Sequence, residues 1–221
     1  MSISGKNIIA LKVFGLIKKQ AKQFQLPLLN RLLPSSSPYK ILVSCILSLR
    51  TKDKVTQEAS VKLFNLASTA QGMLKLPIAK IKGTIYPVGF YRKKARVILS
   101  LSKKIIDDFG GRVPSCREDL LSLKGVGRKT ANLVLGLGFN IPAICVDTHV
   151  HRISNRLGWV KSKSPEETEI KLMKIFPKSV WIELNEILVS FGQNLCLPVS
   201  PFCSKCLAGK FCKRIGVLKS R

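Results

Sequence analysis

Acidic residues are scarce in this chain of 221 residues. It carries 12 Asp and Glu against 38 Lys and Arg, which gives a formal net charge of +26 at pH 7. A generally cationic, solvated surface accounts for part of this excess, but not for the shortage of acids. Such a field favours a polyanionic partner, with nucleic acid as the first candidate and an anionic membrane surface as the second.

Long apolar runs and strand patterns are also missing. The longest apolar stretch, residues 131–146, is broken by Asn132, Asn140 and Pro142 and is too short to span a membrane. The N-terminal sequence has a lysine inside its apolar part and no small-residue cleavage site, so it predicts an amphipathic helix and not a signal peptide. No convincing alternation of apolar and polar residues predicts a strand. With 46% hydrophobic residues, we expect a folded, all-α protein in the reducing cytoplasm.

Signals for the beginning and end of helices recur along the chain. Ser37 followed by Pro38 predicts an N-cap with proline at the first helical position. The helix that follows, over residues 39–49, is apolar almost all round and is therefore predicted to be a central buried helix. Ser115 and Ser164, each with a glutamate three residues later, predict capping boxes.

Four of the seven cysteines lie close together near the C-terminus. Cys196, Cys203, Cys206 and Cys212 have the spacing C-x6-C-x2-C-x5-C within 17 residues. Four soft ligands closed over a short loop are what a structural Zn²⁺ or a [4Fe–4S] cluster needs, and the spacing alone leaves both open. Disulfide pairing is the alternative, which nothing else in the sequence favours because there is no sign of secretion.

A glycine-containing turn lies within residues 120–136, LLSLKGVGRKTANLVLG. A short helix is predicted to end before residues 125–127, and a second helix to begin near Arg128. The glycines let the backbone approach closely and point N–H groups at an anion beside a helix N-terminus, which suits a DNA phosphate. The P-loop pattern fails because Arg128 stands where a glycine must precede the lysine. A plain helical turn that contains glycine is the remaining alternative.

Lys129 is followed 18 residues later by Asp147, the only carboxylate between Asp119 and Glu166. Asp147 stands at the predicted start of a helix, where an N-cap is the ordinary role of aspartate. It could also serve as an acid–base or electrostatic partner for a developing positive charge. For Lys129, the ordinary roles are a phosphate contact or a solvated side chain. The alternative is an amine nucleophile, because neighbouring cations and helix N-termini disfavour the charged form of a lysine.

These three motifs resemble those of endonuclease III, a DNA base excision repair enzyme of the helix–hairpin–helix glycosylase superfamily. They are the GVGRKTA of residues 125–131, the VDTH of residues 146–149 and the set of four cysteines. Their order and spacing are highly specific, and the resemblance extends from about Tyr39 to Cys212.

The resemblance implies two all-helical lobes with a DNA cleft between them. One lobe would be a six-helix barrel over residues 31–141, with the helix–hairpin–helix at about residues 120–138. The other would be a discontinuous iron–sulfur domain of residues 1–30 and 142–221, with the cluster loop at residues 196–212. Two loops, around residues 27–37 and 139–142, are the candidate junctions.

The resemblance also implies an activity. The family removes oxidised pyrimidines as a bifunctional glycosylase and cuts the strand 3′ to the abasic site through a Schiff base and β-elimination. Lys129 would be the nucleophile, Asp147 its partner, and the four cysteines the ligands of a [4Fe–4S] cluster. The implied partner is double-stranded DNA with damaged bases or abasic sites, bound by a monomer in the cytoplasm, in association with the nucleoid and without a membrane.

Three of the implied DNA contacts depart from the usual pattern of the family. Arg50 stands where a glutamine commonly fills the gap left by the flipped base, which leaves the opposite-base preference open. Phe90 stands where a leucine commonly wedges into the duplex, with ordinary core packing as its alternative. Lys124 replaces a common proline before the hairpin glycines. The other implied contacts are Gly125, Val126, Gly127, Arg128, Thr130 and His149.

Two other functions compete with this interpretation. A related glycosylase for mismatched thymine or uracil is less favoured, because Lys129 is the lysine of the bifunctional enzymes. A non-catalytic DNA-binding protein with a structural cluster needs neither the amine of Lys129 nor the isolated carboxylate of Asp147.

Overall fold

The computed structural model describes residues 5–24 and 37–221, and across these residues every regular element is a helix, as predicted. No helix in this part of the chain is long and apolar enough to cross a membrane. Short 3₁₀ helices cover Lys178–Val180, Cys203–Lys205 and Gly209–Phe211. The α-helices are α1 (Gly5–Ala21), α2 (Pro38–Ser48), α3 (Asp53–Leu66), α4 (Ala70–Leu74), α5 (Ile78–Ile85), α6 (Tyr91–Phe109), α7 (Arg117–Ser122), α8 (Arg128–Phe139), α9 (Thr148–Leu157), α10 (Pro165–Ile175) and α11 (Trp181–Asn194).

The chain divides into two compact units. One joins Met1–Pro27 to Pro142–Arg221, and the other is Leu28–Ile141. The boundary after Ile141 falls in the loop around residues 139–142, whereas the other candidate junction lies outside the described residues except for Ser37. The barrel and cluster domains assigned from the sequence stay a prediction.

Helix α2 is the centre of the unit of residues 28–141. The Ser37 hydroxyl accepts a hydrogen bond from the Lys40 N–H at 3.4 Å, and Pro38 follows it at the first helical position. Every residue from Ile41 to Leu47 is buried, because α2 packs against α3, α6 and α8. Burial of each large aliphatic side chain is worth about 1.5–3 kcal/mol, so this helix is a main source of the unit's stability.

The other unit packs α1 and α9 against α11. Helix α1 buries residues at helical spacing, which confirms the predicted amphipathic helix. Its buried residues are Ala10, Val13, Phe14, Ile17 and Ala21. Helix α11 contributes Trp181, Leu184, Leu188 and Phe191 to the same core.

One of the two predicted capping boxes is displaced by one residue. Ser164 caps α10 as predicted, because its hydroxyl accepts from the Glu167 N–H at 3.1 Å. At α7 the prediction was wrong, since Cys116 and not Ser115 is the N-cap. The Cys116 thiol accepts from the Asp119 N–H at 3.4 Å and donates to its carboxylate at 3.0 Å, which fixes the helix start at Arg117.

Candidate active site and metal centre

The predicted hairpin joins α7 to α8 in the unit of residues 28–141. The Val126 N–H donates to the Leu123 carbonyl at 3.1 Å and closes a turn. Gly125 in this turn has a φ of 83°, in the left-handed region, and a Cβ there would lie 2.7 Å from Val97 Cγ1. Both the backbone conformation and the close approach therefore require glycine at this position.

The second hairpin helix begins at Arg128, as predicted, with Gly127 as an N-cap that has no side chain to bond the first N–H groups. Lys124 and Lys129 are exposed beside this helix start, and Arg128 is half-buried. Val126 and Thr130 have buried side chains, so any DNA contact from them would come from the backbone. The result is a group of cations around a helix N-terminus, which suits an anion.

The positive charge of Lys129 influences the buried thiol of Cys45. Burial raises the pKa of Cys45 to about 12, and the positive charge of Lys129 acts in the opposite direction. Cys45 lies on α2, which packs against α8. The charge of Lys129, in the first turn of α8, thus affects the acidity of a buried thiol on α2.

Asp147 is the N-cap of α9, in the other unit. Its Oδ1 atom accepts from the N–H groups of His149 at 2.9 Å and Val150 at 2.8 Å, and the side chain is half-buried. The ordinary role weighed for Asp147 is thus present in the structure. His149 makes a local contact, because its Nδ1 lies 3.1 Å from Arg152 Nη2.

The four predicted cysteine ligands line one recess near the C-terminus. The recess has about 390 Å³ of empty space, its open mouth included, and apolar walls that include Phe191, Leu195 and Phe202. In residues 5–24 and 37–221, no three His, Cys, Asp or Glu side chains are placed to hold a metal ion in this structure. A set of four soft sulfur donors around one recess nevertheless fits a group that binds four thiolates.

Burial affects the acidity of these cysteines. It raises the pKa of the Cys206 thiol to about 11, and it is also the largest reason why the pKa of Cys212 is raised. A group that binds these sulfurs as thiolates must therefore displace their protons.

Two arginines on α9 support the first cysteine, and the sequence analysis did not single them out. Arg156 Nη1 donates to Cys196 Sγ at 3.3 Å and to the Leu197 carbonyl at 2.8 Å. Arg152 Nη2 donates to the Cys196 carbonyl at 2.8 Å. Arg156 is 6% exposed, and a charge at a buried helical position was the signal that could have identified it.

Arg50, the predicted gap-filling residue, and Phe90, the predicted wedge, are neighbours in the unit of residues 28–141. The Arg50 guanidinium carbon lies 5.9 Å from the centre of the Phe90 ring, which is within cation–π range. The Phe90 side chain is 61% exposed, so the core-packing alternative is wrong. The structure thus presents an exposed aromatic ring and a cation as neighbours.

Sequence reasoning also missed a buried lysine that contacts the segment carrying Arg50. Lys94 is 6% exposed and contacts the turn that carries Arg50. It precedes Ile98, Leu101 and Ile105 at helical spacing, so it occupies the apolar face of α6. A lysine in register with an apolar stripe was the signal that could have identified it.

Comparison with known proteins agrees with these features. The family model of the HhH-GPD superfamily base excision DNA repair proteins matches residues 43–178. Endonuclease III of Thermotoga maritima is 47% identical over 178 residues, which are 80% of this chain and 84% of that protein.

Solved structures show the same fold. A trapped endonuclease III–DNA covalent intermediate superposes with a TM-score of 0.85 at 33% identity and covers 94% of this chain and 96% of that one. A thermostable thymine-DNA glycosylase gives a TM-score of 0.83 at 26% identity, with 95% of this chain and 96% of that one covered. The chain therefore belongs to the HhH-GPD superfamily of base excision DNA repair proteins and, within it, to the endonuclease III family.

Proposed function

We propose that this protein is a bifunctional DNA glycosylase with abasic-site lyase activity, which removes oxidised pyrimidines from double-stranded DNA. The observation that supports the proposal most directly is the exposed position of Lys129 in the first turn of the helix after the hairpin. A lysine that only packed or only screened charge would not need this position beside an anion-binding turn.

The reaction begins when the damaged nucleotide leaves the base stack, since its glycosidic bond is unreachable inside the duplex. The Lys129 amine, after it has lost a proton, attacks C1′ of the deoxyribose. The bond from C1′ to the base breaks with its electron pair on the base, which takes up a proton. The attached nitrogen loses a proton, and its lone pair then forms a second bond to C1′ as the C1′–O4′ bond breaks and O4′ takes up a proton. The product is a protonated Schiff base between Lys129 and C1′ of the opened sugar. Loss of a proton from C2′ then expels the 3′ phosphate and cuts the strand.

Asp147 supplies the negative charge in this proposal. A carboxylate stabilises the cationic sugar as the base departs and helps to take the proton from the attacking amine. Its two backbone hydrogen bonds, both at Oδ1, fix the orientation of the carboxylate. The N-cap and the catalytic role are therefore compatible.

We assign the cysteine recess to a [4Fe–4S] cluster, held by Cys196, Cys203, Cys206 and Cys212. The support is the set of four thiols together with membership of the family. A bound cluster supplies four metal–sulfur bonds that fix the loop between its ligands. Equal amounts of iron and acid-labile sulfide in the purified protein would agree with this assignment, whereas zinc alone would overturn it.

The implied partner is duplex DNA that contains a damaged base or an abasic site. The net charge of +26 and the cations of the hairpin provide the attraction to its phosphates. We further propose that the protein acts as a monomer in the cytoplasm, associated with the nucleoid, where the proposed substrate is found and cysteines stay reduced.

The test is borohydride trapping on a duplex with one abasic site. Borohydride reduces the Schiff base to a stable amine, so the wild-type protein is expected to give a covalent protein–DNA adduct and Lys129→Ala none. Lys103→Ala is the matched control, because it removes one exposed positive charge that pairs with Asp107 on α6. No adduct from folded wild-type protein would overturn the lyase activity and favour a non-catalytic DNA-binding protein.

A thymine-DNA glycosylase is the second candidate, favoured by the likeness to a solved structure of that activity. Base release from two duplexes distinguishes the candidates, one with an oxidised pyrimidine and one with a G·T mismatch. Faster release of the oxidised pyrimidine supports our proposal, and faster release of the mismatched thymine supports the alternative.

A further inference from the structure

Arg50 and Phe90 both have backbones that residues other than glycine rarely adopt. Their φ angles are 52° and 58°, in the left-handed region. An arginine and a phenylalanine persist there only when the surrounding structure holds them, and such strain concentrates at functional sites. The two strained residues are also neighbours, with 5.9 Å between the Arg50 guanidinium carbon and the centre of the Phe90 ring.

The two turns that carry Arg50 and Phe90 approach each other closely. A Cβ at Gly89 would lie 2.6 Å from the Arg50 carbonyl oxygen, so the turns approach as closely as they do only because residue 89 is glycine. The Gly89 N–H donates to Thr51 Oγ1 at 3.2 Å. The turn that ends at Phe90 is therefore bonded directly to the turn that begins at Arg50.

Lys94 donates hydrogen bonds to the turn that carries Arg50 from the buried side of α6. Its Nζ donates to the Leu47 carbonyl at 2.8 Å, the Leu49 carbonyl at 2.5 Å and Thr51 Oγ1 at 3.0 Å. An ammonium has three donors, and here each has an acceptor. The two carbonyls belong to the C-terminal end of α2, where a positive charge is favoured.

The Lys94 side chain is buried, and its ammonium makes three hydrogen bonds. Burial lowers the pKa of Lys94 to about 8. A side chain of this kind is kept inside a protein where its hydrogen bonds perform a task. These bonds join the C-terminal end of α2, through Leu47, to the turn around Arg50, through Leu49 and Thr51.

We propose that Lys94, together with Thr51 and Gly89, is a positioning clamp that holds Arg50 and Phe90 as one preformed wedge for the duplex. The inference rests on the proposed glycosylase function. A wedge that is already ordered loses less conformational freedom when it enters the stack, so more of its binding energy is available to expel the damaged base. Lys94 touches neither DNA nor the reacting atoms and acts through the turns alone.

The experiment compares two substrates under single-turnover conditions. One duplex contains an oxidised pyrimidine, whose excision needs the wedge, and the other contains a ready-made abasic site, which has no base to expel. For Lys94→Met, which keeps the length of the side chain but has no donor, we expect base release to fall about 10- to 100-fold. Borohydride trapping on the abasic site should fall much less. General damage to the fold would lower both rates together.

A spectroscopic measurement tests the wedge directly. With 2-aminopurine placed beside a stable abasic-site analogue, entry of the wedge unstacks the probe and raises its fluorescence. Wild-type protein should give the full rise, and Lys94→Met a smaller one at saturating protein. Ser102→Ala is the control, because it removes a buried hydrogen bond to Tyr39 of 2.6 Å about 12 Å further along α6.

Thr51→Val provides a second route if Lys94→Met does not fold. It removes the hydroxyl that accepts from both Lys94 and Gly89, and we expect the same difference between the two substrates.

Folded variants with wild-type base release and fluorescence, or with equal losses on both substrates, would overturn the clamp. No adduct but a full fluorescence rise in wild type would refute the proposed function and leave the clamp standing. No fluorescence rise in wild type would overturn the wedge and the clamp with it.

Discussion

Asp147 accepts two backbone N–H groups through a single carboxylate oxygen, Oδ1. An asparagine can accept the same bonds through its amide oxygen and is about as good an N-cap as aspartate. It carries no charge, however, and cannot take up a proton in the reaction. The two roles of Asp147 can therefore be separated by substitution.

We expect Asp147→Asn to keep the stability of the wild type within about 0.5 kcal/mol, and Asp147→Ala to lose about 1 kcal/mol with the cap. Both should lose base release by on the order of 10²–10⁴-fold, because both lack the carboxylate. Urea unfolding and single-turnover excision measure the two effects. If Asp147→Asn excised bases at the wild-type rate, the catalytic role of the carboxylate would be refuted.

At the scale of elements, the hairpin between α7 and α8 depends on one backbone angle. Gly125 has a φ of 83°, and Val97 lies against the place where its side chain would be. For Gly125→Ala we expect a loss of about 1–3 kcal/mol, from the strained angle and the displaced valine, and weaker binding of a duplex with an abasic-site analogue.

Gly83→Ala is the matched control for this change. Gly83 lies in α5, and nothing lies within 4 Å of a Cβ built on it. Alanine there should stabilise the protein by about 0.5–1 kcal/mol and leave DNA binding unchanged. Equal stability of the two variants would show that the hairpin turn does not require glycine.

The cysteine loop gives a second test at this scale. We expect Cys203→Ser to lose the yellow-brown colour of a cluster and to bind DNA more weakly, because the loop of residues 196–212 loses a ligand. Cys116→Ser is the control, since this exposed cysteine only caps α7 and serine is a good N-cap. Visible absorption and gel-shift titration measure both. A Cys203→Ser protein with full colour and full affinity would contradict the assignment.

The elements that the sequence predicted well are those decided by neighbouring residues. Ser37 with Pro38 and Ser164 with Glu167 cap their helices because the bonding atoms are three residues apart. Asp147 caps α9 for the same local reason. At Ser115 the prediction failed by one residue, since a thiol that bonds to Asp119 is a cap that residue preferences do not favour.

The contact between Arg50 and Phe90 could not be predicted, because it depends on residues far apart in the chain. Lys94 bonds to carbonyls 45 and 47 residues earlier, and Gly89 to a hydroxyl 38 residues earlier. In the sequence, Lys94 is one of 38 basic residues, and its burial follows only from the packing of α6. The predicted site residues could therefore be identified from motifs, whereas the long-range hydrogen bonds of Lys94 and Gly89 that hold Arg50 and Phe90 could not.

At the scale of the whole molecule, the excess of cations is distributed over both units. The hairpin contributes Lys124, Arg128 and Lys129, and the C-terminal region contributes Lys205, Lys210, Lys213 and Arg214. Each cation that contacts a phosphate releases a condensed counterion from DNA. Binding should therefore weaken steeply with salt, while the chemistry at the bound abasic site should not.

We expect the logarithm of the binding constant for duplex DNA to fall linearly with the logarithm of salt concentration. Six to ten phosphate contacts would lower affinity by about 10³–10⁵ between 50 mM and 200 mM salt. Lys124→Ala should reduce the slope by roughly 1 if its ammonium contacts a phosphate. Lys103→Ala, which removes the same charge from an ion pair on α6, should leave the slope unchanged. Equal slopes for all three proteins would refute a phosphate contact at Lys124, and a shallow slope in wild type would show that few of the 26 excess charges face the DNA.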